Sequence, residues 1–251
     1  MEYMQRGRWI LTLSAFFLFS ACDKLPFFKS ASDGPAVTEE KERGLEEIDA
    51  AEVLTPNERK RINRQFLREM YEQVYAKRLT DLAFYSSWMN VLEQGASIEG
   101  VYRGLTLSDS YRALERGTVS KEARDFFARE VAYLEVLKNP KLRSESELAK
   151  ELAKSAEKLP LFTLKRVLGE KVLEAIELRK SDRAAVAELY ANLVMRWFDS
   201  GVDFGFKQRN LQDRDFHHSW ALRNSRGRVQ WEILNRLHRV MNHHGRILYG
   251  R

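Results

Sequence analysis

The chain has 251 residues, 42 Lys plus Arg against 36 Asp plus Glu, a net charge of +6, 44% hydrophobic and 11% aromatic residues, 13 Gly, 5 Pro and one Cys. That is an ordinary globular composition, long enough to bury a core without disulfide or metal staples. It excludes collagen-like, cysteine-scaffold and wholly disordered classes, and one Cys forbids an intramolecular disulfide.

The N-terminus carries an address. Arg6 and Arg8 precede an apolar stretch from Trp9 to Phe19, and the small residues Ser20 and Ala21 lead to Cys22. This is the layout of a secretory signal peptide over residues 1–21. A spanning helix needs about 20 apolar residues to cross ~30 Å of hydrocarbon, and this run stops short before the charged pair Asp23 and Lys24.

The segment Phe19-Ser20-Ala21-Cys22 resembles a bacterial lipobox, with Phe where the family more often has Leu. The resemblance implies that the Cys22 thiol receives a diacylglyceryl group, that the peptide is cut before Cys22, and that the new amino terminus is open to acylation by a fatty acid such as palmitate. Two or three acyl chains anchor durably where one is marginal, at about 0.8 kcal/mol per buried methylene. The implied location is an exported protein anchored to a bacterial membrane. Asp23 resembles the inner-membrane retention signal of enterobacterial lipoproteins, but Lys24 beside it leaves the leaflet open.

Residues 22–55 read as an acidic tether. From Asp23 to Glu58 there are ten acidic against four basic residues, with Pro26, Gly34 and Pro35, a composition too charged to collapse onto a core. Leu45, Ile48 and Ala51 are spaced for one amphipathic turn or two; a disordered linker fits the segment better.

The folded domain is expected over residues 56–251, and it opens on Thr55-Pro56-Asn57-Glu58, a capping-box start with Pro at the first helical position. Ile62, Phe66, Met70 and Val74 then recur every four residues. The pattern runs on through Trp88, Val91 and Leu92 to Gly95, nearly forty residues with a bend or break expected near Thr80. Short helical pieces fit 97–104 and 108–116. Helical spacing resumes with Ala123, Phe127, Val131 and Leu134 and ends at Asn139-Pro140. Ser144 with Glu147 opens another helix, carried by Leu148 and Leu152 up to Pro160. Leu164, Leu168, Val172 and Ile176 mark the next, and Val186, Leu189, Tyr190, Leu193, Val194, Trp197 and Phe198 draw one apolar stripe. No segment reads as a run of strands. The fold class is all-α, an irregular bundle of about six to eight helices behind the tether.

Within 66–114, the residues Phe66, Leu67, Tyr71, Trp88, Leu92, Gly95, Ser108 and Tyr111 make this part similar to a helical module of unknown function found in large exported and surface-layer proteins. That family carries an Asp and a Gly in the turn before its Trp; here Asp81 is present and the Gly is missing. The resemblance implies helices and export, and no chemistry.

All five histidines, His217, His218, His238, His243 and His244, fall in the last 35 residues, beside Asp213, Asp215 and Glu232. Convergence of His217, His218, His243 and Asp213 or Asp215 would give a zinc site able to activate water, with Glu232 as general base, and so a metal-dependent hydrolase of envelope material. The spacing fits no zinc pattern, since His238 and His243 are five apart and H-E-x-x-H is absent. Interfacial and capping histidines account for the cluster more simply. No G-x-S-x-G, P-loop or G-x-G-x-x-G motif occurs. Glu145-Ser146 resembles the Glu-Ser of lytic transglycosylases, but the rest of that motif set is missing and a helix start explains the pair.

From Gly201 to Arg251 ten Lys or Arg face four acids, opposite in sign to the tether. Arg223, Arg226, Arg228, Arg236 and Arg239 interleave with Trp220, Trp231 and Tyr249, a mixture that suits anionic partners. Export argues against nucleic acid. The sequence therefore points to a non-catalytic binding or scaffold role toward an anionic envelope component or another envelope protein, with a covalent lipid at Cys22 and no other cofactor; a solvated face is the plain alternative. Trp231, Leu234, Leu237, Val240 and Met241 read as core packing.

Overall fold

The computed structural model describes residues 55–115, 119–141, 144–198 and 213–246. Cys22, the tether and the ends of the basic C-terminal region lie outside the described residues. Ten α-helices occur among those described: α1 Pro56–Tyr75, α2 Leu82–Glu93, α3 Ile98–Thr106, α4 Asp109–Arg112, α5 Lys121–Lys138, α6 Glu145–Ser155, α7 Leu161–Glu177, α8 Arg183–Phe198, α9 Arg214–Arg223 and α10 Arg226–His244. A 3-10 turn, Ala156–Lys158, follows α6, and the described residues contain no strand. The domain is an all-α bundle, and none of these helices is long and apolar enough to cross a membrane.

Local chemistry sets most of the helix starts. Thr55, Asp81, Ser97, Ser108, Ser120, Ser144, Asp213 and Ser225 each stand at an N-cap, and each side chain accepts a hydrogen bond from the backbone N–H three residues on. Such a cap satisfies an otherwise orphaned donor and contributes about 1 kcal/mol. At Thr55 the capping box is complete, with Glu58 reaching back to the Thr55 amide at 2.8 Å. Ser144 caps α6, so Glu145 and Ser146 occupy its first turn.

The long hydrophobic pattern after Thr55 is divided earlier than its periodicity suggests. α1 stops at Tyr75, Ala76 turns left-handed with φ 52°, and Asp81 caps a new helix. Neither Gly nor Pro marks the stop, and its cause is tertiary. The piece expected over 108–116 is a single turn, Asp109–Arg112, held because the Tyr111 hydroxyl donates to the Phe162 carbonyl at 2.8 Å.

α10 is the centre of the bundle. Twelve of its 19 residues are buried, and it packs on α1, α3, α5, α7 and α8. Trp231 and Leu234 join the cluster built by α1 to α4, around Phe66, Met70, Tyr102 and Tyr111. Ile233, Leu237, Val240 and Met241 join the cluster of α5, α7 and α8, around Phe126, Leu168, Leu193 and Trp197. One helix thus serves two apolar clusters, which is why its apolar residues cover more than a single stripe. α2 closes on α3 where Trp88 lies against Gly104, so tightly that a Cβ there would come within 2.3 Å of the indole.

Candidate functional site

The central position of α10 decides where the C-terminal arginines stand. Arg236 is 4% exposed and lies in the interior, its guanidinium 5.8 Å from the Tyr190 ring centroid and 3.8 Å from the Glu232 carboxylate. Arg228 is partly exposed; it stacks on Trp231 at 3.8 Å and pairs with Glu232 at 3.0 Å. Arg226 and Arg239 are partly exposed, and Arg223, at the end of α9, is exposed. Of the five cations expected to meet an anionic partner, Arg236 is thus a packing residue, and Arg223 is the most open to solvent.

The proposed metal ligands are spread over separate duties. Asp213 caps α9 by accepting from the Phe216 amide at 3.0 Å, and Asp215 projects into solvent beside Arg214. His217 is fully buried, edge-on to Tyr190, whereas His218 is partly exposed. His243 is exposed in the last turn of α10, next to His244. Among the described residues no three His, Cys, Asp or Glu side chains gather where a metal ion could be held. Glu232, the general base of that reading, lies between Arg228 and Arg236, whose charges engage both its oxygens.

A polar seam that periodicity did not reveal runs through the interior along α10. The Lys165 ammonium, on α7, is fully enclosed; it donates to the carbonyls of Gln73 at 3.2 Å and Val74 at 2.8 Å and to Asn242 Oδ1 at 2.6 Å. These carbonyls belong to the last turn of α1, where no further helical N–H reaches them. A cation there also suits the negative end of the helix dipole. Lys165 therefore ends α1, and Asn242 completes the arrangement by donating to the Gln73 carbonyl at 2.9 Å. Burial pushes the Lys165 pKa well below the ordinary lysine value.

One turn back along α10, His238 is also fully enclosed, with its Nε2 3.0 Å from the Tyr102 hydroxyl. Burial, and next the charge of Lys165, hold the imidazole well below its usual pKa, so the ring is neutral at pH 7. Burial moves the Tyr102 phenol the other way, well above 10. The hydroxyl and Nε2 share one hydrogen bond, and the other ring nitrogen, Nδ1, has no hydrogen-bond partner among the described residues. The Tyr102 hydroxyl fits only because residue 169 on α7 is Gly: a Cβ there would stand 1.8 Å from the oxygen. Farther along, Asn235 donates to Glu69 at 3.2 Å.

A second buried polar group joins α5 to α8. Glu130, fully enclosed, accepts from Arg196 at 3.2 Å, from the Trp197 indole at 3.0 Å and from Arg129 at 3.1 Å, while Arg196 reaches on to Glu145 at 2.7 Å. Two guanidiniums and an indole compensate one buried carboxylate, the condition under which such a charge is tolerated. Both groups act between helices: each fixes the position of one helix against another.

Compared with known proteins, the chain matches no family model, no curated protein and no solved structure at a significant level.

Proposed function

We propose that the protein is a membrane-anchored lipoprotein of the bacterial cell envelope whose helical domain has a non-catalytic binding or scaffold role. The observation that carries this reading is the order of residues at the N-terminus: Arg6 and Arg8, the apolar run to Phe19, then Ser20, Ala21 and the chain's one cysteine at Cys22. A thioether needs a thiol at that place, and the thiol occurs there and nowhere else. The similarity of 66–114 to a module of exported proteins agrees in direction.

The scaffold role is supported by how the interior titratable groups are used. Lys165 ends a helix, His238 takes the Tyr102 hydroxyl, and Glu130 joins α5 to α8. The partner is an anionic envelope component or another envelope protein, met through the cations that remain at the surface of the C-terminal region, Arg223 foremost.

The test is Cys22→Ser in cells fed a labelled fatty acid. The wild-type protein should take up label and sediment with membranes; the variant should lose the label and either leave the membrane or remain unprocessed. A variant that keeps both label and membrane attachment refutes the anchor.

A further inference from the structure

One end of the bundle gathers cations from helices that are far apart in sequence. Contacts between α1 and α10 climb both helices together: Phe66 meets Trp231 edge-on at 5.4 Å, Glu69 meets Asn235, and Gln73 meets Asn242. The two helices are therefore parallel, and their first turns share one end. α7 runs the other way, since Lys165 in its first turn meets Asn242 near the end of α10.

At the shared end stand Arg59, Lys60 and Arg61 from α1, Arg223 from the end of α9, and Arg226 and Arg228 from the start of α10. The carboxylates there have partners: Glu58 accepts from Thr55 and also feels the charge of Arg61, Glu93 pairs with Lys60 at 3.5 Å, and Glu232 pairs with Arg228. Arg59, Arg61 and Arg223 are exposed and form no ion pair among the described residues. Cations elsewhere are of both kinds: Arg64, Arg68, Lys77, Arg78 and Lys121 are likewise exposed and form no ion pair among the described residues, while others are engaged. On α3, α5 and α7, Arg103 pairs with Glu99 and Glu170, Lys171 with Glu135, and Lys138 with Glu174. Thr55, where the described chain begins and to which residues 22–54 connect, lies at the cationic end as well.

We infer that this end of the bundle is a docking face for the anionic phospholipid headgroups of the bilayer that holds the anchor. The inference rests on the anchored-lipoprotein reading and names the surface that reading would use. A chain tied to a bilayer through residue 22 enters the domain among Arg59, Lys60 and Arg61, so this end is the one its connection leads to. Each cation brought to an anionic surface is worth about fivefold in partitioning, and exposed charges lose that gain as salt rises. The phosphates are met by arginine forks, which bind them with two parallel hydrogen bonds.

The experiment uses the mature chain, residues 22–251, carrying Cys22→Ser so that no acyl chain contributes and failure of the anchor is not read as failure of the face. Its sedimentation is measured with vesicles of phosphatidylcholine alone and with 30% phosphatidylglycerol. Expected is at least fivefold stronger partitioning to the anionic vesicles at about 50 mM salt, largely lost at about 300 mM. Arg59→Gln, Arg61→Gln and Arg223→Gln together should weaken it tenfold or more. Lys77→Gln, Arg78→Gln and Lys121→Gln, at the opposite end, should stay within about twofold of the parent. All side chains changed are exposed, and helical circular dichroism verifies folding. No preference for anionic vesicles, or equal loss in both triple variants, overturns the inference. So does binding to an anionic polysaccharide without binding to vesicles.

Discussion

Gly169→Ala sets two effects against each other. In the interior of a helix, Ala is favoured over Gly by about 0.8–1.0 kcal/mol, so an unencumbered site would gain stability. At residue 169 the new Cβ would lie 1.8 Å from the Tyr102 hydroxyl oxygen, 2.7 Å from its Cζ and 3.2 Å from its Cε1. Tyr102 cannot swing into solvent, because it is fully buried and its hydroxyl is committed to His238 at 3.0 Å. Overpacking costs about 1–3 kcal/mol, and parting the buried hydroxyl from its acceptor costs about 1–3 kcal/mol more. After the helix-propensity gain, a net loss of about 1–5 kcal/mol is expected. Urea unfolding followed by far-ultraviolet circular dichroism reads it as a lower midpoint at unchanged slope. Gly227→Ala is the comparison, since its Cβ would meet only Ile98 Cγ1 at 3.5 Å, an ordinary contact, and should be neutral or slightly stabilising. Adding Tyr102→Phe to Gly169→Ala removes the nearest atom, so the two changes should combine to less than their sum by about 1 kcal/mol. If Gly169→Ala is as stable as Gly227→Ala, the packing of Tyr102 between α7 and α10 is wrong.

Two further outcomes follow from the interior polar groups. The folded pKa of His238 is depressed, so below about 6.5 the unfolded chain binds a proton that the native protein refuses, and stability falls with pH by about 1.4 kcal/mol per unit toward the folded pKa. Lys165 adds a loss of the same sign, as pH falls below the ordinary lysine value toward its own lowered pKa. Urea midpoints measured from pH 5 to 8 should therefore drop on the acid side, and His238→Gln, which keeps an acceptor for Tyr102, should flatten the part below 6.5; equal slopes in both proteins would refute the assignment. Glu130→Gln removes the buried charge that Arg196 and the Trp197 indole share, and should cost about 2–4 kcal/mol in the same assay. Glu174→Gln, in an exposed pair with Lys138, should stay within about 0.5 kcal/mol, and a similar loss in both variants would count against Glu130.

Thr55 and Ser144 cap helices through atoms within three residues of themselves, so short-range chemistry was enough to read those starts; Asp81, Ser97, Ser120 and Ser225 cap in the same way in the structure. The apolar positions Phe66, Met70, Leu168, Val172, Leu193 and Trp197 are buried as their spacing requires. For the histidine and arginine clusters such short-range chemistry was not enough. Nearness along α10 says nothing about which side of the helix meets a neighbour, and His238, Arg236 and Asn242 all turned inward because α10 is enclosed by other helices.

Sequence by itself determined the all-α class and the succession of helices up to Phe198, because these depend on periodicity and on hydrogen bonds within one turn; it did not mark α9 and α10 as separate helices. Only the tertiary structure decided that α1 ends at Tyr75. The residues beyond, Ala76, Lys77 and Arg78, are good helix formers, and it is the Lys165 ammonium, some ninety residues away, that takes the Gln73 and Val74 carbonyls. It likewise decided that a tyrosine, a histidine and a glycine on three helices meet at one point, since a contact across the core depends on where each helix lies and not on the spacing within any one of them.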